Sequence, residues 1–301
     1  MAVFNGAPYL REQLASIAGQ SHTQWHLLVS DDGSTDGSGD ILGQAACGTP
    51  NMSCMTGPGQ GGTANFMSLL CAAPDHGPGA SWIAFSDQDD VWLPDRLARG
   101  IAALQAQDPA VPGLWCSRTW ITNEKLVTRS LSAARPRPLG FRNALVQNVA
   151  SGNTILLNAA AARLATAAAR ETTCPVVHDW WVYQLVSGAG GVLIHDDMPS
   201  LLYRQHRVNQ IGANMGHLAR IRRIGMLLSG HFRDWNETNL AALRCSAHRL
   251  TDENRALLED FAQVRDHRLA RRMAGLRHLA LYRQSSVSTA ALWLAAALRR
   301  F

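Results

Sequence analysis

Two short apolar runs, each ending on a group of carboxylates, constrain this chain more than any other feature. Trp25-His26-Leu27-Leu28-Val29 leads into Ser30-Asp31-Asp32-Gly33, and Trp82-Ile83-Ala84-Phe85 leads into Asp87-Gln88-Asp89-Asp90. Runs of this length bounded by turn residues read as buried strands. Helix-like stretches separate them. Pro8 opens the first at a favoured position, with Leu10, Leu14 and Ile17 on one face; Thr35 or Asp36 can cap the second. Asn65 to Cys71 gives a third, and Pro94 opens a fourth with Leu97, Ile101 and Leu104 inward. Ala2-Val3-Phe4 starts the series, and a strand near Met52 to Met55 is weakened by glycines and Pro58. Alternation at this pace predicts an α/β fold, a mostly parallel sheet flanked by helices. Ligands of such sheets bind beyond the carboxyl ends of the strands, so both acidic groups are expected in one crevice.

The middle is less regular. Leu114 to Ile121, Thr154 to Leu157, Gly191 to His195 and Ser200 to Tyr203 are strand candidates, while Ala159 to Arg170 and His178 to Val186 read as helices. Beyond about Gly212 the pattern is helical, with Thr251-Asp252-Glu253-Asn254 as a cap. This predicts a body over residues 1–212 and a helical C-terminal extension over 213–301.

Charge follows the same division. From Ala213 to Phe301 there are 15 Arg against 7 Asp and Glu, a net of +8, which leaves −3 for residues 1–212. A basic extension on an acidic body suggests contact with an anionic surface. Six cysteines lie far apart with no C-x-x-C pair, which suggests reduced thiols in the cytoplasm rather than a disulfide framework or a zinc site. The sequence predicts no signal peptide. The longest apolar stretch of the extension, Ala290 to Leu298, falls far short of the roughly 20 residues that span a bilayer.

Two carboxylates one residue apart at a strand end, Asp87 and Asp89, can hold a divalent cation whose other ligands are diphosphate oxygens. Alone, the pair reads equally as a solvated acidic turn. Asp31 and Asp32 can accept from a ribose hydroxyl or a base N–H, or simply cap the next helix.

Six motifs in collinear order carry a resemblance: Asn5-Gly6, Ser30 to Asp36, Asn65-Phe66, Phe85 to Trp92, His178-Asp179-Trp180-Trp181 and Tyr203-Arg204-Gln205-His206. Over residues 1–212 the chain resembles family 2 glycosyltransferases of the GT-A fold, the rhamnosyltransferase-like members of bacterial polysaccharide synthesis in particular. The resemblance implies that Asn5 and Asp31 or Asp32 contact the base and ribose of a nucleoside diphosphate sugar, dTDP-rhamnose or a UDP-sugar. Asp87 and Asp89, the family's D-x-D, would bind ribose and a Mg²⁺ or Mn²⁺ on the diphosphate. Asp179 would be the base that takes a proton from an acceptor hydroxyl, giving single-displacement, inverting transfer.

Beside these, His206 is a candidate metal ligand and Arg204 a candidate diphosphate partner. Asp90, Gly152, Asn153, Trp180 and Trp181 are candidates for the acceptor side, the tryptophans by stacking on a sugar face. The processive-synthase signature Q-x-x-R-W is absent, which favours transfer of a single sugar to a glycan or lipid-linked acceptor. In the extension, Arg220, Arg222 and Arg223 among Ile221, Ile224, Met226, Leu227 and Leu228 form a basic amphipathic segment; Arg265, Arg268, Arg271, Arg272 and Arg277 continue the pattern, with Trp293 beside Arg299-Arg300. Such helices suit a peripheral position at the inner face of the cytoplasmic membrane or an ordinary helical appendage. No nucleic-acid reader motif is present, so nucleic acid is not an expected partner. The alternatives are a nucleotidyltransferase with a related sheet, which would need a glycine-rich basic phosphate loop where residues 5–12 offer only Gly6 and Arg11, and a non-catalytic scaffold.

Overall fold

A computed structural model describes residues 1–75, 82–172, 174–206 and 231–301. Strands β1 (Ala2–Val3), β2 (Leu27–Asp31) and β3 (Met52–Thr56) form a parallel sheet in that order. Helices α1 (Ala7–Ala18), α2 (Ser38–Gly48) and α3 (Gly62–Ala72) follow the three strands in turn. Leu10 and Ile17 of α1 pack with Val3, Val29 and Leu42, so the periodic face of α1 is buried as its spacing predicts.

A second sheet has six strands: β4 (Ile83–Ala84), β5 (Val91–Trp92), β6 (Gly113–Thr122), β7 (Thr128–Leu131), β8 (Leu156–Leu157) and β9 (Val192–Arg204). The order is β4-β8-β6-β9-β5, with β7 also paired to β6. Only β6 and β9 run parallel; the other pairs are antiparallel. The sheet is therefore parallel in its first half and mixed beyond it. The β6–β7 connection covers just residues 123–127, too short for the crossover that a parallel pair requires. The two strand candidates near 191–203 are one long strand, whose register shifts opposite Ser117 and Arg118 where Asp197, Met198 and Pro199 interrupt the alternation.

One side chain joins the two sheets. Gln88 Oε1 accepts from the Phe4 amide (2.8 Å) and Gln88 Nε2 donates to the Phe4 carbonyl (3.0 Å). A Cβ on residue 6 would lie 2.3 Å from Gln88 Oε1, so only glycine leaves room for this bridge.

The main core lies between the second sheet and α3, α4 (Arg96–Gln105), α5 (Phe141–Ala144), α6 (Ala159–Ala169) and α7 (His178–Gly188). Asn158 caps α6 by accepting from Ala161 N, and also accepts from Gly113 N (both 2.9 Å). Among the described residues four more helices follow: α8 (His231–Cys245), α9 (Asp252–Asp266), α10 (Leu269–Leu279) and α11 (Ser286–Ala297). Thr251 caps α9 as its sequence predicts, accepting from Asn254 N (3.2 Å). Phe232, Leu243, Leu258, Phe261, Leu276, Leu292 and Phe301 belong to the same buried cluster as Trp181 and Leu114, so the C-terminal helices complete the body's core. Two expected tail cations are used inside it. Arg265 donates to the Phe301 and Arg233 carbonyls, and Arg272 to those of His267 and Ala296. Trp293 packs against the core as well. The segment from Arg220 to Leu228 and the 212/213 boundary lie outside the described residues. Among the described residues no helix is long and apolar enough to cross a membrane.

Candidate active site

The strand ends deliver the predicted residues to one face of the molecule, where they fall into two groups. At the ends of β1 and β2 lies a rim built from side chains that accept backbone amides. Asn5, in the left-handed region at φ 49°, accepts from Thr35 N (2.9 Å) while its own amide donates to Ser34 Oγ (2.9 Å). Asp31 Oδ1 accepts from Ser34 N and Oγ (3.0 and 2.6 Å). Asp32 is buried, and its two oxygens accept from Gly59 N (2.7 Å) and Gly61 N (2.8 Å), which fixes the loop before α3. Asp36 takes the amides of Ser38, first residue of α2, and Ala7, first residue of α1.

The second group is crowded with carboxylates. Burial, then the charges of Asp89 and Asp179, push the Asp87 carboxyl up to about 7. Asp90 is raised well above the usual range by burial and by Asp89 and Asp87, against the Asn153 amide (2.6 Å) and the Arg204 N–H (3.2 Å). Burial also raises Asp179. It stands in the first turn of α7, where the helix dipole favours an anion, and accepts from Asn148 Nδ2 (3.0 Å), Gly152 N (2.9 Å) and its neighbour Trp180 N (2.6 Å). Gly152 and Asn153, adjacent in the chain, hold Asp179 and Asp90, which brings the start of α7 close to the D-x-D, and the Asp179 charge contributes to raising Asp87.

His206 meets Asp89, with Nε2 2.7 Å from Oδ2. Its ring stacks on Tyr9 (centroids 4.7 Å apart), and the Tyr9 hydroxyl donates to Glu124 (2.7 Å). Among the described residues no three His, Cys, Asp or Glu side chains close into one ligating group, so Asp87, Asp89 and His206 do not form the expected three-ligand site. The donor set, carboxylate oxygens and one imidazole, nevertheless fits a divalent cation shared with phosphate, beside an Asp87 carboxyl that burial and then the Asp89 and Asp179 charges push up.

Several expected roles change. Trp180 and Trp181 are buried; Trp180 donates to the Ala144 carbonyl (2.7 Å) and packs on Phe232, so neither offers a face to a sugar. α7 is apolar around nearly its whole circumference, and both indoles belong to the core. Asp90 and Asn153 are buried against each other and hold strand ends together instead of lining an acceptor cleft. Gly152 is also buried and acts on Asp179 through its amide. Arg204 donates to the Asp89 and Glu124 carbonyls, pairs with Glu12 and lies over the Tyr9 ring, a bracing role in place of a diphosphate contact.

Three residues escaped the sequence reading. Gln88 occupies the middle of D-x-D, a position that reads as a spacer. Arg96 is wholly buried over the Trp92 ring and donates to the Asn153 carbonyl (2.7 Å); burial lowers it to about 9. An arginine beside the inward Leu97 was the available signal. His178 stacks on Phe66 (3.8 Å) and is pushed down to about 3 by burial, so a neutral ring backs Asp179.

The sequence profile described as Glycosyl transferase family 2 matches residues 1–160. The chain belongs to glycosyltransferase family 2. This family 2 enzyme is 26% identical over 255 residues to a dTDP-rhamnosyl transferase, RfbG, of Shigella flexneri, covering 77% of this chain and 81% of that one. Its fold resembles TarS residues 1–349 of S. aureus in complex with UDP-GlcNAc (TM-score 0.53, 13% identity, 99% of this chain and 86% of that one). It also resembles the mannosyltransferase PcManGT of Pyrobaculum calidifontis in complex with GDP-Man and Mn²⁺ (TM-score 0.50, 19% identity, 99% and 85%). The α/β architecture is thus the GT-A one, and the glycosyltransferase assignment displaces the nucleotidyltransferase alternative.

Proposed function

We propose that this glycosyltransferase moves one sugar from a nucleoside diphosphate sugar, dTDP-rhamnose or a UDP-sugar, to a glycan or lipid-linked acceptor in bacterial cell-surface polysaccharide synthesis, in one inverting displacement. The observation that carries the reading is that adjacent residues Gly152 and Asn153 hold Asp179 (2.9 Å) and Asp90 (2.6 Å), so Asp179 stands beside the D-x-D. The similarity to a rhamnosyl transferase supports the donor class.

Asn5, Asp31 and Asp32 form the rim that would receive base and ribose. Asp89 and His206, with diphosphate oxygens as further ligands, would hold Mg²⁺ or Mn²⁺, which when bound would offset the charge of the leaving diphosphate. Asp179 accepts the proton of the attacking hydroxyl at a carboxylate oxygen. Its three donors fix it, and burial makes it a stronger base than a solvated carboxylate. Arg204 and Tyr9 keep His206 against Asp89.

Asp179→Asn should leave the calorimetric affinity for donor plus Mn²⁺ unchanged and lower transfer by 10²-fold or more, on the order expected for a general base. Unchanged transfer overturns the assignment. Because Asp179 is raised, its base form is lost on acidification at a higher pH than an ordinary carboxylate's, near 4. The acid limb of kcat against pH should therefore stand above that value.

A further inference from the structure

Helix α11 is apolar on two sides, yet only one side is covered. Ala291, Leu292, Ala295 and Ala296 are buried against the body. On an adjoining side, Val287 (58% exposed), Leu294 (50%) and Leu298 (52%), just past the helix end, follow one another at spacings of seven and four with Ala290 between them. Spacings of four and seven return to the same helical face. A fourth exposed aliphatic side chain, Leu269 (54%), starts α10. Arg272 Nη1 donates to the Ala296 carbonyl (2.7 Å), which lays the first turn of α10 against the last turn of α11 and brings Leu269 to the same end as Leu298.

The charge around this stripe is mostly positive, with Asp266 the acid near Arg272. Beyond Asp266 the sequence contains seven arginines and no Asp or Glu. Arg268 and Arg271 flank Leu269 and are exposed, as is Arg299 next to Leu298. Arg299 is close enough to Arg272 to lower it, after burial, so the cations share this end of the helix pair.

A helix with an uncovered apolar side is not at rest in water, and one bordered mainly by cations matches a surface that is apolar below and anionic above. We propose that the outer face of α10 and α11 docks on an anionic lipid bilayer, with Val287, Leu294, Leu298 and Leu269 entering the acyl boundary and Arg268, Arg271 and Arg299 meeting the headgroup phosphates. The arrangement is peripheral and needs no spanning segment. The docking rests on this surface alone; its use in bringing a lipid-linked acceptor to Asp179 rests on the transfer proposed above.

The test is co-sedimentation of the full chain with vesicles of phosphatidylcholine mixed with phosphatidylglycerol, against phosphatidylcholine alone. Binding should favour the anionic vesicles and weaken with salt. Leu294→Glu with Leu298→Glu should lower partitioning at least tenfold, and Leu294→Ser, which adds no charge, should lower it less. Each of Arg268→Ala, Arg271→Ala and Arg299→Ala should cost about fivefold. All these positions are exposed, and an unchanged circular dichroism melt confirms the fold. Equal binding to both vesicle types, no binding, or variants that bind like the parent overturn the proposal. So does a dimer in light scattering that Leu294→Glu converts to monomer, which would make the face an interface between copies. Sedimentation reads attachment without turnover, so a failure here is separate from a failure of Asp179→Asn.

Discussion

The rim at the ends of β1 and β2 and the carboxylate centre between β4 and α7 are both acidic, and they use acid in opposite ways. At the rim, the oxygens of Asp31, Asp32 and Asp36 accept amides and serine hydroxyls from their own and neighbouring loops, and the charge is spent on fixing backbone. At the centre, burial and neighbouring carboxylates raise both Asp87, beside Asp89 and Asp179, and Asp90, beside Asp89 and Asp87. The same side chain therefore fixes backbone at the rim and, at Asp87, accumulates with other carboxylates at the centre.

Four substitutions test that contrast, the largest effect first. Asp89→Ala removes the partner of His206 from the centre; Mn²⁺-dependent donor binding should weaken on the order of 10²-fold or more in calorimetry, with the melting temperature little changed. Loss of stability without loss of binding would make the centre another scaffold. Asp32→Ala strips two charge-assisted hydrogen bonds from the rim and should lower unfolding free energy by roughly 3 kcal/mol in urea titration. A rim variant that folds as well as the parent would break the distinction from the other side. Gly152→Ala puts a Cβ 2.8 Å from His178 Nε2 and 3.2 Å from Asp179 Cβ. Since His178 is pinned by Phe66, Asp179 must shift, and kcat should fall roughly tenfold or more with donor affinity unchanged. Tyr9→Phe keeps the stack on His206 and loses only the bond to Glu124; a change of about 1 kcal/mol or less in donor binding is expected.

What the sequence made legible was local. The stop of each strand on its acid group, the Pro8 helix and the Thr251 cap depend on neighbours within a few residues, and all appear where the spacing puts them. Asp179 was readable only through the family motif around it. The errors arise from contacts distant in sequence. Trp180 and Trp181 look available for stacking until α8 is seen to cover α7 through Phe232. The mixed sheet follows from β9 reaching back beside β6 and β5, a pairing across more than 70 residues that no periodicity encodes. Arg265 and Arg272 count as tail charge in the sequence and as carbonyl caps in the fold.

The bridge from Gln88 to Phe4 carries a consequence for how the D-x-D is spelled in this chain. The Phe4 peptide offers one donor and one acceptor on the same edge, and a side chain that answers both must itself be half donor and half acceptor. Glutamate answers one, lysine the other, and an aliphatic residue neither. The middle letter of the motif is thus chosen by peptide complementarity as strictly as its outer letters are by charge, and it mechanically links the rim to the centre.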